Sequence, residues 1–105
     1  MRMEFKFDKG AVDRYGFTMQ SVFDCIAEQA REVNLKCKIE GNMLVVFGTG
    51  KKDDYSGMLT LLSTFKNEEW FIKTATHWTL ETENTYGDIL KQVKDKYKRG
   101  IYPLK

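Results

Sequence analysis

Apolar and polar positions alternate at the start of the chain, with Met3, Phe5 and Phe7 set against Glu4, Lys6 and Asp8. A period of two predicts a half-buried strand. Asp8, Lys9 and Gly10 close it, and residues 11–15 read as a short helical turn ending at Gly16. The period then lengthens. Met19, Val22, Phe23, Ile26, Ala30 and Val33 recur at helical spacing behind Thr18, whose hydroxyl suits an N-cap. Asn34 reads as a left-handed helix stop.

Cys37 and Ile39 alternate with Lys36, Lys38 and Glu40, which predicts a second strand. Gly41-Asn42 is a two-residue hairpin signal. The following Met43 to Phe47 is apolar throughout, as in a strand covered on both faces or one lying centrally in a sheet. Residues 48–54 form a loop in which an aspartate caps the next helix. Tyr55, Met58, Leu59, Leu62 and Phe65 are the stripe of that helix, and residues 66–69 break it. From Trp70 to Glu81 runs a stretch rich in threonine and aromatic residues, predicted as the longest strand. After a turn at residues 81–84, Tyr86, Ile89, Leu90, Val93 and Tyr97 mark a final helix. Asn84 or Thr85 is its expected cap and Gly100 its stop, and Tyr102 and Leu104 are expected to pin a short tail.

The order strand, helix, strand, strand, helix, strand, helix predicts one α+β domain over residues 1–105. Its expected architecture is a four-stranded antiparallel sheet of split β-α-β, or ferredoxin-like, order with an added C-terminal helix. Right-handed crossovers then put the first and third strands at the centre and the fourth at an edge. The predicted core face takes Met3, Phe5, Phe7, Cys37 and Ile39. The opposite face takes Glu4, Lys6, Lys36, Lys38 and Glu40, with one side of the last strand, either the Lys73 and His77 side or the Ile72 and Trp78 side.

Composition adds little to this picture. With 42% hydrophobic and 13% aromatic residues the chain has globular rather than disordered character. A net charge of +2 is too small to demand a polyanion. The charge is uneven, however, because residues 91–105 hold six cations against Asp95 alone. Cys25 and Cys37 match no metal spacing and are expected to be buried free thiols. The first residues carry no apolar signal-peptide core, and no run is long enough to span a membrane, so the expected location is the cytoplasm.

Three surfaces could carry function. The long last strand, with Trp70, Ile72, Lys73, Thr74, Thr76, His77 and Trp78, would be an unpaired edge open to dimerisation or strand addition unless the extra helix covers it. Lys6, Lys36, Lys38, Lys94, Lys98 and Arg99 would form a basic face for nucleic acid, or simply a solvated one. Gly48, Gly50, Lys51 and Lys52 would offer amides and charge to an anion or nucleotide, although the loop fails the phosphate-loop pattern and an ordinary strand-to-helix connection explains it as well. His77 stands alone, no nucleophile motif is present, and adjacent acids such as Asp53-Asp54 point apart. No catalytic residue, metal site or cofactor is therefore expected, and an enzyme is the least favoured class.

Two stretches carry a resemblance: Phe5-Lys6-Phe7-Asp8 with Tyr15-Gly16-Phe17-Thr18, and Gly48 to Asp54 followed by an apolar helix and Glu69-Trp70-Phe71. Together they are similar to small uncharacterised proteins carried by conjugative or other mobile elements of Gram-positive gut bacteria. The resemblance implies a bacterial cytoplasmic accessory protein and no mechanism, and it brings no catalytic residues.

Overall fold

A computed structural model of the chain describes residues 1–98. In chain order its elements are β1 (Arg2–Phe7), α1 (Lys9–Arg14), α2 (Met19–Glu32), β2 (Lys36–Glu40), β3 (Met43–Phe47), α3 (Asp54–Phe65), α4 (Glu69–Thr74), β4 (Ala75–Glu81), β5 (Tyr86–Asp88) and α5 (Ile89–Lys98). The strands form one antiparallel sheet in the order β2-β3-β1-β4-β5.

Local chemistry sets the early elements. The Asp8 carboxylate accepts from the Ala11 amide at 2.9 Å and starts α1. Thr18 and Ser21 cap each other reciprocally at 3.0 Å in each direction, satisfying two amides at the start of α2. Asn34, at φ 61°, reverses the chain after α2, and Gly41, at φ 64°, makes the tight β2–β3 turn.

One sheet face and five helices share a single core. Met3, Phe5 and Phe7 alternate inward along β1, opposite Val46 and Leu44 on one side and Leu80 and Trp78 on the other. Val22, Phe23 and Ile26 of α2, Met58, Leu61 and Phe65 of α3, Phe71 and Ile72 of α4, and Ile89, Leu90 and Val93 of α5 close over them. Phe71 is the aromatic hub. Its ring lies 4.7 Å from Trp78, 5.0 Å from Phe65 and 5.4 Å from Phe7, mostly edge to face.

The predicted long last strand is half helix. Residues 69–74 form α4, and only Ala75 to Glu81 is extended. Phe71, Ile72, Thr74 and Ala75 are buried, a spacing of one, two and one that fits a helical face and not a strand. The Thr74 hydroxyl donates back to the Trp70 carbonyl at 2.6 Å and so closes the helix on itself. Packing around the aromatic hub outweighs the β propensity of these residues.

The second departure follows directly. Thr82 and Thr85 make a tight turn, with Thr82 N to Thr85 O at 2.8 Å and their hydroxyls at 2.6 Å, and Tyr86–Asp88 return as a fifth strand. The final helix therefore starts at Ile89, where the Asp88 carboxylate accepts from the Lys91 amide at 3.1 Å, and neither Asn84 nor Thr85 caps it. β4 lies between β1 and β5 and is not the edge. Arg99, Gly100, Tyr102 and Leu104 lie outside the described residues.

Candidate functional site

The expected interaction edge is not an edge of the sheet, because β4 is paired on both sides. Trp70, Ile72, Lys73 and Thr74 belong to α4, with Ile72 and Thr74 inside the core and Lys73 paired to Glu69 at 2.7 Å. Trp78 is fully buried against Phe5 and Phe71. Thr76 is exposed beside a register irregularity where Phe7 meets Ala75, and His77 faces the charged side of the sheet opposite Lys6. The two true edges are β2, whose Lys36, Lys38 and Glu40 guard it with charge, and the three-residue β5.

The lysine face is a mixed ionic lattice. Glu4 sits in its middle, 2.7 Å from Arg2 Nε, 3.0 Å from His77 Nε2 and 3.5 Å from the Thr79 hydroxyl. Arg2 reaches on to Glu40 at 3.1 Å, which Lys38 also approaches at 4.0 Å. The hydrogen bonds from His77 and Arg2 hold the Glu4 carboxyl below the usual carboxylate range, against the opposing push of burial. Lys6, Lys36 and Lys38 therefore share their face with two acidic side chains, Glu4 and Glu40. Val45, opposite Glu4 and Lys38 in register, is fully buried there. Lys94 lies on α5, away from these strands in sequence, and borders a cleft of about 360 Å³ with His77, Asp88 and Asp95.

The glycine loop supplies its own anion. The Asp54 carboxylate accepts from the amides of Gly50 at 2.8 Å and Lys51 at 3.2 Å. Burial pushes this carboxyl up, but the amides of Thr49, Gly50 and Lys51 outweigh it and hold the group below its ordinary value. Gly48 is required here, because a Cβ at that position would stand 2.4 Å from Asp54 Oδ2. The expected aspartate cap is thus realised differently. Asp53 occupies the cap position without a side-chain bond, and Asp54 folds back into the loop. A ligand at Gly48, Gly50, Lys51 and Lys52 would have to displace that carboxylate.

What the sequence reading missed is the outer side of α3. Its stripe divides in two. Gly57, Met58, Leu61 and Phe65 face the core, whereas Tyr55 and Leu59 are 49% and 40% exposed. No charged side chain occurs from Tyr55 to Phe65. By contrast, the outward positions of α2 carry Asp24, Glu28, Arg31 and Glu32. Beside the exposed apolar residues stand the exposed Ser56, Thr60 and Ser63. The Thr60 hydroxyl donates to the Ser56 carbonyl at 3.0 Å, and the Thr64 hydroxyl to the Thr60 carbonyl at 2.8 Å. Both donors are already used within the helix, so covering this face strands neither of them. The signal in the sequence was the absence of charge, which a search for apolar spacing passes over.

A second apolar surface lies behind α2. Phe17, Val22, Cys25 and Trp70 line a groove of about 290 Å³, with the Phe17 and Trp70 rings edge to face at 5.6 Å. Cys25 is exposed there rather than buried, and Cys37 is half-buried. Partial burial, with Glu28 and Glu68 nearby, pushes the Cys25 thiol up and makes it a weak nucleophile at neutral pH. Among the described residues no group of three or more His, Cys, Asp or Glu side chains could hold a metal ion, and no helix is long and apolar enough to cross a membrane.

Compared with protein-family models, curated proteins and solved structures, the chain matches none.

Proposed function

We propose that this chain is a non-enzymatic protein-interaction module, acting in dimerisation or assembly through the outward face of α3. The observation that carries the reading is a surface helix with no charge over residues 55–65 and with Tyr55 and Leu59 exposed. Water contact with such a face is unfavourable by about 25 cal/mol for each Å² of apolar area, and a partner that covers it recovers that energy. The accessory role implied by the sequence resemblance agrees with this reading. The position of β1 between β3 and β4 with β2 outside supports a split β-α-β plan extended by one strand.

The nucleic-acid reading is weaker, because Glu4 and Glu40 lie among the sheet lysines. The anion-sensor reading is weaker still, because Asp54 already fills the loop amides.

The test compares wild type with Leu59→Lys by size-exclusion chromatography in an extract of the cells that express the protein. The wild type elutes well above its 12.3 kDa chain mass and the variant at it. Elution of both at the monomer mass refutes the module.

A further inference from the structure

Resting on that reading, we infer that the partner covering α3 is a second copy of this chain, packed antiparallel across a two-fold axis near Leu59 and Thr60. An isologous contact sets each surface against itself, so any charge near the axis meets its own copy and repels it. The outer face of α3 is free of this conflict, because nothing from Tyr55 to Phe65 is charged. Its middle is also self-complementary in shape. The small Ser56, Thr60 and Ser63 alternate with the larger Tyr55 and Leu59, which allows ridges of one copy to enter grooves of the other.

Charge stands only at and beyond the ends of the helix, where Asp54, turned back into the glycine loop, is the first residue and Asp53 and Lys66 flank the two ends. Lys51 and Lys52 precede the N-terminus, and Glu68 and Glu69 follow the C-terminus. Lys52 and Glu68 stand eight positions either side of Thr60, so an antiparallel pair centred there brings Lys52 of each copy towards Glu68 of the other. A parallel pair would set lysine against lysine and glutamate against glutamate. Antiparallel packing also opposes the two helix dipoles. One helix face is small beside the roughly 800 Å² that each partner of a stable complex buries, so the dimer is expected to be reversible in the micromolar range.

The test is sedimentation equilibrium of the purified chain and of three charge variants, Lys52→Glu, Glu68→Lys and the double swap. Lys52 is exposed and the Glu68 side chain makes no capping bond, so these changes leave the fold intact, as unchanged urea midpoints would verify. The wild type should reach twice the 12.3 kDa chain mass as concentration rises. Each single change should weaken the dimer several-fold, and the double swap should restore it. Leu59→Lys should raise the dissociation constant about tenfold or more. A wild type that stays monomeric overturns the second-copy inference, and if the same protein still elutes large in extract the interaction module itself survives with another partner. A double swap as weak as either single change overturns the antiparallel register.

Discussion

Gly57 is the fourth residue of α3 and its replacement by alanine should destabilise the protein, although alanine is the better helix former. Two effects oppose each other. Intrinsic propensity favours alanine over glycine by about 1 kcal/mol in a helix interior. Against it stands the contact with α2 and the segment that follows. A Cβ at residue 57 would lie 3.1 Å from the Val33 carbonyl oxygen and 3.3 Å from Leu35 Cδ1. The first neighbour is backbone, at the C-cap of α2 just before the left-handed Asn34, and cannot retreat without moving that turn. The second is a side chain only 3% exposed, packed in the core. Overpacking of this kind costs about 1–3 kcal/mol. The net expectation is a loss of about 1 kcal/mol, read as a lower urea midpoint at unchanged slope. Gly10→Ala is the internal control. Its Cβ would meet nothing closer than 3.5 Å within α1, so propensity acts alone and stability should rise by about 0.5–1 kcal/mol. A stability gain for Gly57→Ala would refute the argument that glycine is there to let α3 lie close to the end of α2.

Other outcomes follow from the same geometry. The lowered Glu4 pKa means that its bonds to His77 and Arg2 contribute stability above the ordinary glutamate value of about 4.3, and this contribution is lost as pH falls below that through the lower folded value. Glu4→Gln should therefore cost stability at pH 7 and flatten the acid side of a stability profile, and an unchanged profile would contradict the lattice. Gly48→Ala should expel the Asp54 carboxylate and speed amide exchange at Gly50 and Lys51, whereas unchanged exchange there would show that the loop does not depend on that carboxylate. Phe71→Ala, at the centre of the aromatic hub, should lose about 3–5 kcal/mol in urea denaturation, and a loss below 1 kcal/mol would place the hub elsewhere.

Where a single local rule decides an element, the sequence was readable. The alternation of Met3, Phe5 and Phe7, the Thr18 cap, the Asn34 stop and the Gly41 turn each stand as expected, because each depends on a few adjacent residues. Trp70 to Thr74 was misread because its residues favour strands in isolation, while Phe71 gains more by joining Phe5, Phe7, Phe65 and Trp78 as one turn of helix. Those rings come from four separate elements, and their meeting is a property of the fold and not of the segment. The same misreading moved the sheet edge. Once β5 pairs with β4, the supposed docking strand lies inside the sheet. The Asp54 fold-back was equally hidden, since an aspartate at a helix start looks like a cap whether it bonds forward or backward. The outer face of α3 could have been found from Tyr55 to Phe65 by the missing charge, but which side of that helix meets solvent is set by Gly57 and its approach to Val33 and Leu35.

The central claim is that the uncharged outer face of α3 is made to be covered, and Leu59→Lys probes it most directly. In an extract of the expressing cells the wild type should elute well above 12.3 kDa and the variant at the monomer mass, with the same urea midpoint for both. Identical elution of the two proteins, at any mass, would contradict it.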